Sequence, residues 1–216
     1  KMPIRSGAEY IDNIDNLHSE IWIEGDRVEG KVSEHKAFKG VMKSQAALYD
    51  LQFEKTNLDI MTYRSPVTDN LVGTSFLEPK TKADLEKRRL MTQIWAKSSG
   101  GFMGRSPDYM NTVMMAFNQA ADIFSEQDIR FTKNMRTIFE DAREKDLSFT
   151  HTFINPQVNR SSYYMENFSQ TISAQTTEIK DDGIVINGAR LLATQGGITD
   201  EILVFPANSA GHNKDL

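Results

Sequence analysis

The hydrophobic pattern of the chain changes near Asp146, and this change constrains the fold more than any other feature of the sequence. Before it, apolar residues recur at intervals of three and four, as they do on one face of an α-helix. After it, short runs of β-forming residues alternate with turn dipeptides. We therefore predict an α+β chain with two domains, a mainly helical one over residues 1–145 and an incomplete β domain over residues 146–216.

Capping signals indicate where helices begin in the first domain. Ser6 and Glu9 have the spacing of a capping box, and Thr81 is a candidate N-cap with Asp84 three residues on. Pro107 suits the first turn of a helix. The predicted helices cover residues 6–16, 38–53, 83–97, 108–125 and 129–145. A β-hairpin is predicted over residues 20–32 around Gly25-Asp26, and an extended, irregular segment over residues 57–78.

Two features of the helical domain have ordinary structural interpretations. Methionine is a flexible apolar side chain, so the methionines at positions 103, 110, 114 and 115 are expected to fill a helical core. The acidic stretch over residues 140–146 is expected to be a solvated helix end.

Turn dipeptides organise the second domain. Asp182-Gly183 and Asn187-Gly188 lie on either side of an apolar run, and the run 189–194 follows them, a spacing that predicts hairpins. Further strands are predicted over residues 147–154, 171–179 and 202–205. A β-meander of this size leaves unpaired edges, so we expect the natural chain to continue beyond Leu216.

Composition excludes several classes of function. The chain contains no cysteine, which rules out disulfides, cysteine nucleophiles and cysteine-bound iron–sulfur clusters in this segment and fits a cytoplasmic protein. A formal net charge of −5 argues against a general nucleic-acid binder. No apolar run has the length of a membrane span or of a signal peptide. The histidines at positions 18, 35, 151 and 212 show no metal-ligand spacing, so no metal site is predicted.

The first candidate site is the glycine-rich loop that leads into the helix predicted at residue 108. A helix N-terminus favours anions, and Arg105 adds a cation in the loop. Tyr109 follows four residues later and supplies a phenolic hydroxyl that could face the same cleft. The structural alternative is that Arg105 pairs with Asp108 at the surface and that Tyr109 is ordinary packing.

The second candidate site follows the strand predicted at residues 147–154. His151 lies in that strand and could accept or donate a hydrogen bond to a ligand hydroxyl, although a lone histidine between apolar residues is also typical of a buried core position. The loop after the strand is polar, and such loops often bind ligands. The alternative is a solvated turn. The polar residues of this loop are Asn155, Gln157, Asn159 and Arg160.

These two segments, residues 101–109 and 151–160, resemble the two-component, reduced-flavin-dependent phenol hydroxylases, whose best-known members are the oxygenase components of 4-hydroxyphenylacetate 3-monooxygenase. Residues 9–11 and 24–28 match the N-terminal opening of this family. Residues 182–190 match a β-domain hairpin that the family shares with acyl-CoA dehydrogenases, and Ala193-Thr194 follows it. The order and spacing of these segments carry the resemblance, since no single motif is decisive.

The resemblance implies an acyl-CoA dehydrogenase-like fold. In that fold a helical N-terminal domain precedes an antiparallel β-barrel-like domain, and a C-terminal helical bundle, missing here, supplies some flavin contacts and much of a homotetramer interface. It also implies that Arg105, Tyr109 and His151 line the catalytic site. Tyr109 and His151 would hold the substrate hydroxyl, and Arg105 would stabilise the flavin peroxide. The residues implied to contact FAD are Gln157, Asn159, Arg160 and Thr194.

The implied reaction is the hydroxylation of a phenol, similar to 4-hydroxyphenylacetate, at the carbon ortho to its hydroxyl. Reduced FAD reacts with molecular oxygen to give a C4a-hydroperoxide, which transfers its distal oxygen to the ring. A separate flavin reductase supplies the reduced FAD as a freely diffusing partner. The cofactor performs the difficult step, and the protein orients the ring and excludes water.

Three alternatives remain beside this interpretation. The dehydratase that acts on 4-hydroxybutyryl-CoA shares the fold, but its iron–sulfur cluster requires cysteines in the helical domain, and this segment has none. An acyl-CoA dehydrogenase proper fits residues 151–160 less well. The segment could also be a fragment or a paralogue without catalysis.

Overall fold

The computed structural model describes residues 3–156 and 173–205. These described residues divide into two units whose boundaries differ from the two ranges. The first unit contains the described residues up to Phe149 and also Gln195–Glu201. The second contains the described residues from Thr150 to Thr194 and those from Ile202 onward. The chain therefore leaves the helical unit, returns to it for seven residues and leaves it again.

Helices dominate the first unit, and strands dominate the second, so the prediction of a mixed helix and strand chain is confirmed. The α-helices are α1 Gly7–Asp15, α2 Lys39–Asp50, α3 Leu58–Met61, α4 Lys82–Ser98, α5 Asp108–Gln119 and α6 Ile129–Lys145. Short 3-10 helices cover Val32–Glu34, Leu51–Phe53, Thr74–Phe76 and Ala121–Glu126. The strands are β1 Trp22–Ile23, β2 Asp26–Arg27, β3 Thr62–Arg64, β4 Leu71–Gly73, β5 Phe149–Thr152, β6 Gln175–Lys180, β7 Gly183–Asn187 and β8 Glu201–Val204.

The predicted helix starts are confirmed by their capping contacts. The Ser6 hydroxyl accepts a hydrogen bond from the Glu9 amide at 3.2 Å, and the Glu9 carboxylate accepts one from the Ser6 amide at 2.8 Å. Thr81 and Asp84 form the same reciprocal pair at the start of α4. Each box satisfies two backbone donors that have no partner within the helix.

The structure moves two of the predicted hairpin turns by one residue. The first turn consists of Glu24 and Gly25, because Ile23 pairs with Asp26. Both turn residues have positive φ, 54° and 92°, as a two-residue hairpin turn of type I′ requires. In the second unit Lys180 pairs with Gly183, so the turn lies at Asp181-Asp182 rather than at Asp182-Gly183.

Three segments differ from the prediction in kind. Residues 57–78 are not irregular, since they contain α3 and the antiparallel hairpin of β3 and β4. Strands of three residues are too short for their alternation to stand out in the sequence. The helix predicted to reach residue 125 ends at Gln119 and continues as a 3-10 helix. No strand forms over residues 189–194, where Ala189 and Leu191 make isolated bridges to Ser173 and Ile154.

Strands β5 and β8 pair across a long stretch of sequence. The Glu201 amide donates to the Ser148 carbonyl at 3.2 Å, and the Phe205 amide donates to the Thr152 carbonyl at 2.9 Å. Residue numbers therefore rise together on the two strands, which run in the same direction. This pair differs from the antiparallel order that the resemblance implied, because the long connection between the two strands permits a parallel crossover.

The helical unit has its own core. One buried cluster includes Tyr10, Met42 and Tyr49, and another joins Leu48 to Trp95, whose indole nitrogen donates to the Leu48 carbonyl at 2.9 Å. The methionine prediction is confirmed, because the side chains at positions 110, 114 and 115 are buried and Met103 packs against the second cluster. None of the helices in the described part of the chain combines the length and the apolar composition needed to span a bilayer.

The expectation that residues 140–146 form a solvated helix end is wrong for Asp146, the residue that follows α6. Asp146 adopts a left-handed conformation with φ of 50° and is only 2% exposed. Its carboxylate accepts a hydrogen bond from the Gln52 side-chain amide at 2.8 Å. Burial raises the pKa of Asp146, although the nearby Arg5 charge and the Gln52 hydrogen bond lower it. An acidic stretch in a sequence thus contains one carboxylate that belongs to the interior.

Candidate functional site

The start of α5 brings two of the predicted site residues together. Pro107 precedes the helix with φ of −56° and ψ of −31°, helical angles that its ring favours. The guanidinium carbon of Arg105 lies 4.6 Å from the centre of the Tyr109 ring, a cation–π contact. Both side chains are half-buried. The two side chains are therefore in direct contact, and the cleft that they are expected to face together stays a prediction.

Arg105 has a buried donor that the described residues do not satisfy. Its Nη1 atom donates to the Gly104 carbonyl at 3.2 Å. Its Nε atom is buried and has no hydrogen-bond partner among the described residues. A buried donor without a partner is costly, so this atom favours a ligand that offers an acceptor.

The alternative interpretation was an ion pair between Arg105 and Asp108. The described residues form no such ion pair. The Asp108 carboxylate instead accepts a hydrogen bond from the Ser106 hydroxyl at 2.6 Å. Burial raises the pKa of Asp108, and the Ser106 hydrogen bond and the Arg88 charge lower it. Asp108 therefore stabilises the loop before the helix and leaves Arg105 against Tyr109.

Arg88, which the sequence analysis did not identify, forms hydrogen bonds that link α4 to α5 and to the segment before α4. Its Nη1 atom donates to the carbonyls of Ser75 at 2.9 Å and of Leu77 at 2.8 Å. Its Nη2 atom donates to the Thr112 hydroxyl at 2.6 Å, one turn beyond Asp108. One arginine on α4 thus joins the 3-10 helix at Thr74–Phe76 to α5, the helix that carries Tyr109. Its sequence signal is weak, because an arginine on a charged helix normally indicates a solvated face.

His151 lies on β5 and packs against aromatic rings. Its ring stacks on Phe153 with centroids 5.3 Å apart and planes 3° apart. The ring of Phe205 meets it edge-on at 6.1 Å. His151 is half-buried, while its neighbours Thr150 and Thr152 are buried, so it is not the fully buried core histidine of the alternative interpretation. Two aromatic contacts restrict the ring while part of it stays exposed.

Of the remaining candidates, Asn155 and Thr194 lie outside the helices and strands of the second unit. Thr194 is exposed at the first position of a turn. The Asn155 side chain has a structural partner, since its oxygen accepts a hydrogen bond from Arg190 Nη1. Three candidates, Gln157, Asn159 and Arg160, lie outside the described residues.

The fold of the chain is shared with enzymes of more than one chemistry. It matches a solved archaeal 4-hydroxybutyryl-CoA dehydratase from N. maritimus with a TM-score of 0.75 over 94% of this chain and 40% of that one. The two sequences are only 17% identical, so this likeness shows the fold alone.

The sequence match is more specific. The family described as "4-hydroxyphenylacetate 3-hydroxylase N terminal" matches residues 6–215, and the chain belongs to this family. A probable 4-hydroxyphenylacetate 3-monooxygenase of Bacillus subtilis (strain 168) is 50% identical over 206 residues, which are 95% of this chain and 43% of that protein.

A solved structure extends the match to three dimensions. It is the oxygenase component of 4-hydroxyphenylacetate 3-monooxygenase complexed with FAD and 4-hydroxyphenylacetate. It is 38% identical with a TM-score of 0.81, covering 94% of this chain and 41% of that one. The chain thus spans about two fifths of the length of the relatives that it matches, 43% and 41%.

Proposed function

We propose that the complete protein is the oxygenase component of a flavin-dependent monooxygenase that hydroxylates a phenol, similar to 4-hydroxyphenylacetate, ortho to its hydroxyl. The observation that carries the proposal is the Arg105–Tyr109 pair at the start of α5, within a chain that matches the hydroxylase family over residues 6–215. The pair offers a cation and a phenolic hydroxyl side by side. A cation can stabilise negative charge that develops on oxygen, and a phenolic hydroxyl can hydrogen-bond a substrate hydroxyl.

The described residues fit a bound reduced FAD. The buried Nε atom of Arg105 lacks a partner among them and can donate to an electron-rich acceptor. We propose that Gln157, Asn159, Arg160 and Thr194 contact the FAD, and the exposed position of Thr194 on a turn supports its part in this. When bound, reduced FAD supplies the electrons that activate molecular oxygen, the co-substrate.

The protein's own side chains have separate roles in this proposal. Tyr109 and His151 hydrogen-bond the phenol hydroxyl and favour its electron-rich, phenolate-like form. Arg105 supplies positive charge where negative charge develops on oxygen. The aromatic neighbours of His151, Phe153 and Phe205, restrict its ring and so reduce the entropy lost when the substrate is oriented.

The remaining parts of the proposal concern the complete protein. We propose a helical domain over residues 1–145 and a β-barrel-like domain over residues 146–216, followed by a C-terminal helical bundle in an acyl-CoA dehydrogenase-like fold. The oxygenase is a cytoplasmic homotetramer, and a separate flavin reductase supplies its reduced FAD. The name of the matched solved structure, an oxygenase component, supports a separate reductase.

The direct test uses the intact subunit with a flavin reductase and a panel of para-substituted phenols. We expect ortho-hydroxylated products from at least one phenol, with 4-hydroxyphenylacetate as the first member of the panel. Consumption of reduced FAD that yields only hydrogen peroxide with every phenol would contradict the proposal.

A variant of Arg105 tests the observation that carries the proposal. Arg105→Ala should lower the product formed per reduced FAD consumed by about 10-fold or more, because one charged donor is removed from the reacting oxygen. The control is Arg64→Ala, which removes an exposed arginine of the same unit. If both variants keep the wild-type ratio, Arg105 has no part in the reaction.

A further inference from the structure

A buried arginine near the N-terminus lies at the centre of a polar cluster. Arg5 is 4% exposed. Its Nη1 atom donates to Asp200 Oδ1 at 3.0 Å and its Nη2 atom to Asp200 Oδ2 at 2.7 Å, a bidentate pair. Nη2 also donates to the Tyr49 hydroxyl at 2.9 Å, and the guanidinium lies 4.5 Å from the Tyr49 ring centre. The guanidinium is therefore held from several sides.

The Asp200 carboxylate in turn holds Ser148. Its Oδ2 atom accepts hydrogen bonds from the Ser148 amide at 2.7 Å and from the Ser148 hydroxyl at 2.6 Å. The Asp200 amide donates back to the Ser148 hydroxyl at 3.2 Å. We call Arg5, Ser148 and Asp200 the strand clamp. It joins three segments that are 52 and 195 residues apart in sequence, 148 to 200 and 5 to 200.

The strand clamp lies at the roots of the strands that carry His151 and its aromatic neighbour. Ser148 precedes β5 and Asp200 precedes β8 by one residue each. The first bond of the β5–β8 ladder, from the Glu201 amide to the Ser148 carbonyl, starts at the clamp. His151 is the third residue of β5, and Phe205 directly follows β8.

Register decides which side chains meet across a pair of strands. A slip of one residue turns each side chain of a strand to the opposite face. Since the ring of Phe205 meets His151 edge-on at 6.1 Å, this contact exists only in the register that the clamp starts. Strands β5 and β8 have only four residues each, and the clamp adds hydrogen bonds between Ser148 and Asp200 where the two strands begin.

We infer that Ser148 and Asp200, held by Arg5, are positioning residues for His151, because they fix β5 against β8 and with them the ring of His151 against Phe205. The inference rests on the proposed function, in which His151 binds the phenol hydroxyl. The clamp itself touches neither substrate nor flavin in this inference and acts through the strand register.

The test is Ser148→Ala in the intact subunit, which removes two hydrogen bonds of the Ser148 hydroxyl and keeps its backbone amide. We expect the product formed per reduced FAD consumed to fall about 2- to 10-fold, the effect of a modest hydrogen-bond loss, and KM for the phenol to rise. Both quantities are measured with FAD-binding subunit matched between variants and in excess over reduced FAD, because reduced FAD left free in solution is oxidised by oxygen without giving product. The matched control is Thr132→Val, which removes one buried hydroxyl hydrogen bond, to the Ala121 carbonyl at 3.0 Å, far from β5 in sequence.

A double-mutant cycle separates positioning from general loss of structure. If Ser148 acts through His151, Ser148→Ala has no further effect on the product ratio in a His151→Ala background. An equal loss in both backgrounds, or the same loss in Thr132→Val, overturns the inference. Arg5→Lys is the second arm if Ser148→Ala does not fold, since it keeps the positive charge but not the bidentate geometry. Arg5→Lys should lower the product formed per reduced FAD consumed in the wild-type background and not in the His151→Ala background. An unchanged ratio in the wild-type background overturns the inference.

The two proposals fail in distinguishable ways. An unchanged product ratio in His151→Ala alone refutes the proposed role of His151, and the inference falls with it. A reduced ratio in His151→Ala, with wild-type ratios in Ser148→Ala and Arg5→Lys, overturns the strand clamp and leaves the proposed function in place.

Discussion

Arg5 and the β6–β7 hairpin differ in the burial of their side chains: a charged side chain is buried at Arg5, and apolar side chains are exposed on the hairpin. Arg5 is charged and buried, with aromatic rings and a carboxylate around it. The hairpin exposes apolar side chains: Ile179 on β6 and Ile184 on β7 pair across it and are 82% and 57% exposed.

The comparison shows that residue type alone does not decide burial in this protein. A charge can be buried where several segments converge to solvate it, and a β-branched residue can be exposed where a two-stranded ribbon has nothing packed on it among the described residues. Stability in the described chain should therefore depend more on the polar cluster at Arg5 than on the isoleucines of the hairpin.

The largest effect is expected from Arg5→Met. The change leaves the Asp200 carboxylate, and Asp146 beside it, buried without their cation, so the free energy of unfolding should fall by about 3–5 kcal/mol. Urea denaturation of the intact subunit measures it. The control is Lys145→Met, which breaks an exposed ion pair with Asp141 and should cost less than about 1 kcal/mol. Similar losses in the two variants would remove the contrast between buried and exposed charge.

A pair of apolar substitutions tests the other side of the comparison. Leu48→Ala should lower the free energy of unfolding by about 2–5 kcal/mol, because Leu48 is buried in the second core cluster and a cavity would remain. Ile184→Ala should cost less than about 1 kcal/mol, since Ile184 is exposed on β7. Thermal or urea unfolding of both variants gives the values. A large loss in Ile184→Ala would show that the hairpin is covered in the intact protein.

The comparison extends to function at His151, which is half-buried between the two extremes. His151→Ala should reduce phenol hydroxylation by about 10- to 100-fold while FAD binding persists, because a positioned hydrogen-bonding group is lost. Product analysis and flavin titration measure the two properties. His35→Ala is the matched control, since that histidine is also half-buried and lies 5.8 Å from a phenylalanine ring, Phe38. Unchanged turnover in His151→Ala would refute the assigned role.

The smallest effect concerns pH, and it compares two carboxylates that are two residues apart. Burial raises the pKa of Asp146 above its ordinary 3.8, so the folded state holds this proton more tightly than the unfolded state. Its contribution to stability is therefore complete below pH 3.8 and declines as pH rises through the raised value. Asp146→Asn should accordingly gain stability relative to the wild type as pH rises above about 4.

The contribution of Glu144 to stability should depend on pH in the opposite direction. Burial alone would raise its pKa, but hydrogen bonds from Ser65 and Thr68 and the contact with Arg143 lower it. Its contribution is present at neutral pH and is lost as pH falls through the lowered value. Glu144→Gln should therefore lose its stability difference from the wild type in acid. Urea denaturation of both variants from pH 3 to pH 7 tests the contrast, and parallel pH profiles for the two variants would contradict it.

Much of the local structure follows from the sequence. The reciprocal contacts of Ser6 with Glu9 and of Thr81 with Asp84 depend on residues three apart, so the sequence contains all their partners. The Arg105–Tyr109 contact is also local, since only four residues separate the loop residue Arg105 from Tyr109 in the first turn of α5. The resemblance to the hydroxylase family rested on segments whose order and spacing are also visible in the sequence, and the family match confirms it.

Other features were decided by the tertiary structure. Of the apolar residues on α6, Phe139 is buried whereas Phe131 and Ile138 are exposed, because burial depends on which elements pack on the helix and not on its periodicity alone. Arg5, Asp146 and Asp200 look like surface charges in the sequence, yet they share one interior. Their partners are up to 195 residues away, as Asp200 is from Arg5. The sequence by itself determined the contacts made within a turn or two of chain. Only the tertiary structure decided which charges are solvated by protein instead of water, because that solvation requires several distant segments to be folded together.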